Sequence, residues 1–208
     1  MGKKRQSSIC IHRKEALPMN DKSLYDGIGK IAAGYFLIYF DFNINTISIL
    51  PSFIGYFLFL SAIADLAYEE NELVLLRPFA AILILWHSAA WLLSWGAVKL
   101  DGLLPIADIV IGLINLYFHF QLLTNLAAIA RKYRSEEERD TRLLHCRTFQ
   151  TVILTAAMMI DGISDRLGEY AAFISGAMIV VYLIAGIVMM KTLLDLRREL
   201  IANANPEL

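Results

Sequence analysis

The chain has 208 residues, 57% of them hydrophobic, with a mean hydropathy of +0.53 and a formal net charge of -1. A water-soluble domain of this length cannot hide so much apolar side chain, and a near-neutral balance gives no reason to expect nucleic acid as a partner. Two cysteines, Cys10 and Cys146, make no disulfide framework, and the basic start over residues 1–10 leads into neither an apolar run nor a cleavage site, so it does not read as a secretory signal.

Residues 1–22 mix charge with Pro18 and Asn20 without hydrophobic periodicity, which predicts a flexible cytoplasmic tail; Met19 is a second candidate start. Six mainly apolar stretches follow, near 25–42, 51–67, 73–97, 103–130, 143–163 and 171–194. A hydrocarbon core of about 30 Å needs about 20 helical residues. The sequence therefore predicts an all-α, integral-membrane six-helix bundle over residues 23–203, closed by a short cytoplasmic tail at 204–208. Of the 19 Lys and Arg residues, only Lys99 and Arg166 fall in the first, third and fifth loops. Short basic loops stay in the cytoplasm, so both termini are expected there, with the basic clusters facing anionic membrane lipid.

The first loop, from Asp41 to Leu50, alternates apolar and polar residues and is expected to lie ordered against the bundle. Asp41, Asp101 and Asp161 recur at the predicted ends of the first, third and fifth helices, followed by Gly102 and Gly162 in the last two. Leu50-Pro51 and Leu104-Pro105 open the second and fourth helices, where proline at the first helical position loses no hydrogen bond. Two readings stay open: three tandem helical hairpins, or helices of similar length. The basic and acidic run from Arg131 to Arg142 reads as a solvated extension of the fourth helix. On the sixth, Ala171 with Ser175 and Ala172 with Gly176 allow close helix packing, within the bundle or in a homodimer.

The run Asp41-Phe42-Asn43-Ile44-Asn45, with Ile49-Leu50-Pro51-Ser52-Phe53-Ile54-Gly55-Tyr56, resembles the signature of a family of small, uncharacterised bacterial multipass membrane proteins. Ser52 stands where that pattern has an acidic residue. The resemblance implies about six membrane helices in a bacterial cytoplasmic membrane and no established activity.

Polar residues within the apolar stretches carry the functional reading. Asp108, Gly112, Asn115 and His119 recur at helical spacing on the fourth helix, and His87 lies near the middle of the third at the depth of Asn115. The four residues His87, Asp108, Asn115 and His119 are the candidate lining of a site for a small solute or ion. Interhelical hydrogen bonding that holds the bundle together is the competing role. No third strong ligand has metal-like spacing, and no cofactor motif appears. Glu69-Glu70 with Arg77, His87, His119 and Asn125 carries the residue types of a prenyl-protein-type intramembrane protease but not its spacings. In length and six-helix plan the chain is similar to substrate-binding subunits of energy-coupling-factor transporters, but their alanine-rich first-helix motif is not met; Gly29 to Ala33 is the nearest small-xxx-small pair.

Small-solute or ion handling is the leading expectation. A non-catalytic accessory that joins a larger membrane complex is the alternative, and an intramembrane enzyme the third. A polar cavity open to the outer face favours the first, whereas a packed core with a lipid-facing groove favours the second. Impermeant thiol reagents applied outside intact cells should miss Cys10 and an Arg139→Cys variant and label Ser164→Cys; external labelling at position 139 contradicts the topology.

Overall fold

The computed structural model describes residues 21–40, 43–44, 47–48, 51–95, 105–133, 139–168 and 170–204. Among these residues six α-helices carry the fold: α1 (Asp21–Tyr39), α2 (Ser52–Leu66), α3 (Arg77–Trp95), α4 (Pro105–Lys132), α5 (Arg139–Leu167) and α6 (Tyr170–Ala204). A 3-10 segment, Asn71–Leu76, leads into α3, and two short strands, β1 (Asn43–Ile44) and β2 (Ile47–Ser48), pair antiparallel between α1 and α2. β2 lies against α3, so the described part of the first loop is held on the bundle, as its alternation predicts.

Four stretches, Asn71–Trp95, Ile106–Lys132, Arg139–Ile160 and Tyr170–Ala202, are long and apolar enough to cross a membrane. The other two helices fall short of that measure for separate reasons. α1 carries Lys22, Asp26 and Lys30, and α2 has 15 residues, a rise of about 22 Å. Leu85, Ile106, Leu113, Phe173 and Ile179 stand exposed on the helices that qualify, a surface suited to a membrane and unsuited to water.

Each helix packs on its neighbour in the chain, and α6 returns to α1, giving a cyclic order of six. The core follows the helical period. On α1 the buried side chains are Leu24, Ile28, Ile31 and Tyr35; on α4 they include Phe118, Leu122, Leu126 and Ala130. α1 and α2 approach through two glycines. A Cβ at Gly55 would meet the Gly34 carbonyl oxygen at 2.8 Å, and one at Gly34 would meet the Gly55 oxygen at 2.9 Å. Gly186 of α6 makes the same allowance for the Tyr39 ring, which a Cβ would meet at 2.5 Å.

Charged residues tie one end of this bundle together. Lys30 of α1 holds Asp65 of α2 at 2.6 Å, and Lys132 of α4 holds Glu69, just past α2, at 2.7 Å. Arg131 meets Asp140 of α5 at 3.2 Å, and Arg139 reaches both Asp195 (3.5 Å) and Glu199 (2.9 Å) of α6. Arg197 Nε donates to the Tyr25 carbonyl at 3.2 Å, joining α6 to α1. Glu69 is the acid that Lys132 and Tyr133 reach. Burial pushes its carboxyl up, but hydrogen bonds from Lys132 and Tyr133, with the Lys132 charge, outweigh burial and lower it below the ordinary carboxylate value.

Several boundaries differ from the sequence reading. α4 stops at Lys132 and residues 139–142 open α5 instead of prolonging α4, because Arg139 faces acids on α6. α5 runs on through Asp161 and Gly162 to Leu167, so Asp161 does not end a helix. Asp41 and Asp101, the other members of that series, lie outside the described residues, as do Cys10 and the N-terminal tail to residue 20. α6 continues past Leu194 through a charged segment to Ala204, held by the belt. Gly176, one of the small residues near its start, is exposed, and a Cβ there would meet nothing within 4 Å.

Two outcomes follow. Gly55→Ala should destabilise the detergent-solubilised protein by about 1–3 kcal/mol through overpacking against α1, while Gly176→Ala leaves the melting temperature unchanged. Because the Glu69 carboxyl is lowered in the fold, its contribution is complete above the unfolded value of about 4.3 and is lost as pH falls through the folded value. Glu69→Gln should therefore lose less stability than the native chain when both are acidified from pH 6 to pH 3 in thermal melts.

Candidate functional site

The polar residues of the interior meet where α1, α2, α3 and α4 converge. Tyr56 of α2 is the hub: its hydroxyl donates to Asn115 Oδ1 of α4 at 2.7 Å, and its ring stacks on His87 of α3 with centroids 4.9 Å apart and planes 17° from parallel. Ser52, one turn earlier on α2, shares a hydrogen bond of 3.2 Å with His87 Nδ1. His119 of α4, 3% exposed, shares one of 3.2 Å between its Nδ1 and the Tyr35 hydroxyl of α1. Four rings enclose that imidazole, with centroid distances of 5.4 Å to Tyr35, 6.1 Å to Tyr56, 5.8 Å to Phe59 and 5.4 Å to Phe118.

The local reasons are simple. Asn115 and His119 are four residues apart, so both project onto the α2 side of α4. The glycine contact at Gly34 and Gly55 draws α1 and α2 close enough for Tyr35 and Tyr56 to reach the same space. In an apolar surround an amide, hydroxyl or imidazole left without a partner costs about 1–3 kcal/mol, and here the Tyr35 and Tyr56 hydroxyls pair with His119 and Asn115.

Of the four candidate residues, the structure joins three: His87, Asn115 and His119 belong to one cluster through Tyr56. Asp108 stands seven residues before Asn115, about 10 Å further along α4, half-buried. Gly112 is not part of the cluster face either; a Cβ there would meet Met158 of α5 at 2.8 Å. The sequence reading omits Tyr35, Ser52 and Tyr56. A signal for two of them was present, since Ser52 and Tyr56 lie four apart inside the Ile49 to Tyr56 motif, with Gly55 beside them.

Two cavities among the described residues lie away from this cluster. One, of about 500 Å³, lies between α5 and α6 over the Tyr39 ring of α1, bounded by Phe149, Gln150, Val152, Ile184 and Val188 among others. A second, of about 310 Å³, is lined by Phe79, Val110, Leu113, Ile114 and Tyr117. Neither is lined by His87, Asn115 or His119, and both have apolar walls. Among the described residues no group of three His, Cys, Asp or Glu side chains is placed to hold a metal ion. Glu69, the acid of the protease-like set, is bonded to Lys132 and Tyr133 beyond the far end of α2, about 20 Å along the helix from Tyr56.

No protein-family model matches the chain, and comparisons with curated proteins and with solved structures likewise find no match.

Replacing Tyr56 by Phe removes a donor and strands Asn115 Oδ1 inside the bundle, so Tyr56→Phe should cost about 1–3 kcal/mol of stability. Asn115→Leu made in the Tyr56→Phe background should cost much less than in the native background. Equal costs of Asn115→Leu in both backgrounds, measured by thermal or denaturant unfolding, would show that the pair does not act together.

Proposed function

We propose that this protein is a non-catalytic multipass component of a bacterial cytoplasmic membrane, built from three helical hairpins with six crossings and both termini cytoplasmic. In this reading it works by holding a membrane-resident partner against its outer surface rather than by passing a solute through its centre. The observation that carries the reading is the division of space in the bundle. The polar cluster is filled by its own hydrogen bonds and rings, with Tyr35, Tyr56 and His119 buried and Ser52, His87 and Asn115 half-buried, whereas a volume of about 500 Å³ opens between α5 and α6 among exposed apolar side chains. Sites for small apolar molecules commonly occupy roughly 300–1,000 Å³, so the groove has the size of a binding site. The polar cluster then serves as the seam that fixes the register of α1 to α4.

A second reading is favoured by one observation, the convergence of His87, Asn115 and His119 on Tyr56. There the protein handles a small solute or ion, with those residues and Asp108 as the lining. The resemblance of the Ile49 to Tyr56 motif to small bacterial membrane proteins is compatible with either.

Native mass spectrometry of protein released directly from membranes separates the two. The groove reading expects adducts of lipid mass on the native chain, lost in Val188→Trp, which fills the groove from its exposed side, and retained in His119→Leu. Adducts that persist in Val188→Trp contradict it. A thermal shift given by a small solute or metal ion, and abolished by His119→Leu in a variant that still folds, would transfer the case to the second reading.

A further inference from the structure

The groove between α5 and α6 presents apolar walls, and at one end it runs into the charged belt. Its α5 wall extends from His145 to Val152, seven residues further on and about 10 Å along the helix. Two contacts fix which part of α6 stands opposite. Cys146 Sγ lies 3.9 Å from Thr192 Oγ1, and two turns nearer the belt Arg139 reaches Asp195 and Glu199. The His145 end of the groove is therefore level with Lys191, and Arg142 stands between that end and Arg139.

Helical spacing puts both cations on the outer side of the groove. Lys191 follows Ile184 by two turns and Arg142 precedes Phe149 by two, and Ile184 and Phe149 are exposed lining residues. Arg142 and Lys191 are themselves exposed, and neither makes an ion pair among the described residues. The acids nearby are engaged elsewhere: Asp140 holds Arg131, and Asp195 and Glu199 hold Arg139. Arg147 turns to the other side of α5, where it donates to Thr124 Oγ1 at 3.0 Å and lies 4.4 Å over the Phe120 ring. The end of the groove thus carries two positive charges that no described carboxylate answers, beside an apolar volume of about 500 Å³.

The chemistry that matches is a hydrocarbon chain joined to an anion. Resting on the groove reading above, we propose that the occupant is an anionic phospholipid of the leaflet at the charged end. One acyl chain lies in the groove along Phe149, Val152, Ile184 and Val188, and the phosphodiester outside it accepts hydrogen bonds from Arg142 and Lys191. Two surface cations attract any anion; the adjoining apolar volume selects one that carries a chain. A zwitterionic headgroup brings an ammonium that meets no free carboxylate there, and an uncharged lipid leaves both cations unanswered.

The test offers the delipidated full chain, in detergent, dioleoyl phosphatidylglycerol, dioleoyl phosphatidylcholine, dioleoylglycerol or chain-free glycerol phosphate, and reads adducts by native mass spectrometry. Phosphatidylglycerol should bind about tenfold more tightly than the other two lipids, and glycerol phosphate should not bind. Arg142→Gln with Lys191→Gln should abolish that preference without changing the melting temperature of the lipid-free protein, since both side chains are exposed and unpaired. Lys22→Gln with Arg77→Gln removes the same charge from exposed residues of α1 and α3 and should leave the preference intact. Val188→Trp should weaken all three lipids. A preference lowered equally by both charge-removing pairs is general attraction to a basic surface and overturns the proposal, as does glycerol phosphate binding as tightly as the lipid. Equal binding of the three lipids, blocked by Val188→Trp, overturns the anionic headgroup and leaves the groove reading standing. Lipid binding that Val188→Trp does not affect, or no lipid binding, overturns both.

Discussion

The hydrogen bond from Tyr56 to Asn115, with the His87 ring stacked on the same tyrosine, is the contact on which the arrangement of the bundle turns. In an apolar solvent the helices gain little from burying leucine against leucine, since lipid offers the same surroundings; close packing and satisfied polar groups decide which helices adjoin. One phenol links α2 to α3 and α4, and the Tyr35 hydroxyl with His119 adds α1. Four helices are thereby held in one register.

A different physics operates at the charged end. There the pairs are partly exposed and individually weak, worth about 0–1 kcal/mol each. Their value lies in their distribution, because they join α1 to α2, α4 to α5, α5 to α6 and α6 to α1. The polar seam organises α1 to α4 and the belt fastens α5 and α6 to them. Between α5 and α6 the side chains face outward, and the groove opens on that side.

Hydropathy made the six helices legible, and the spacing of Asn115 and His119 made their common face legible, since both follow from the helical period. Tyr35 and Tyr56 were less readable: a tyrosine in an apolar stretch reads as core or as an interfacial anchor until its hydroxyl's partner is known. The continuation of α6 beyond Leu194 was hidden because Asp195, Arg197 and Glu199 look like a solvated tail; they are helical because Arg139 and the Tyr25 carbonyl face them. The groove was invisible in sequence for a stronger reason. It arises where Tyr39 packs against α5 and α6, more than 100 positions further along the chain, around the missing Cβ of Gly186.

As a structural seam the polar cluster must keep water from its buried end, at His119. Nitrogen-detected NMR of histidine-labelled protein in nanodiscs reports this through exchange of the ring N–H protons with solvent. A sealed cluster predicts that the His119 ring proton persists under conditions where that of exposed His145 has been averaged away. Exchange at His119 as fast as at His145 would place water in the centre of the bundle and contradict the account.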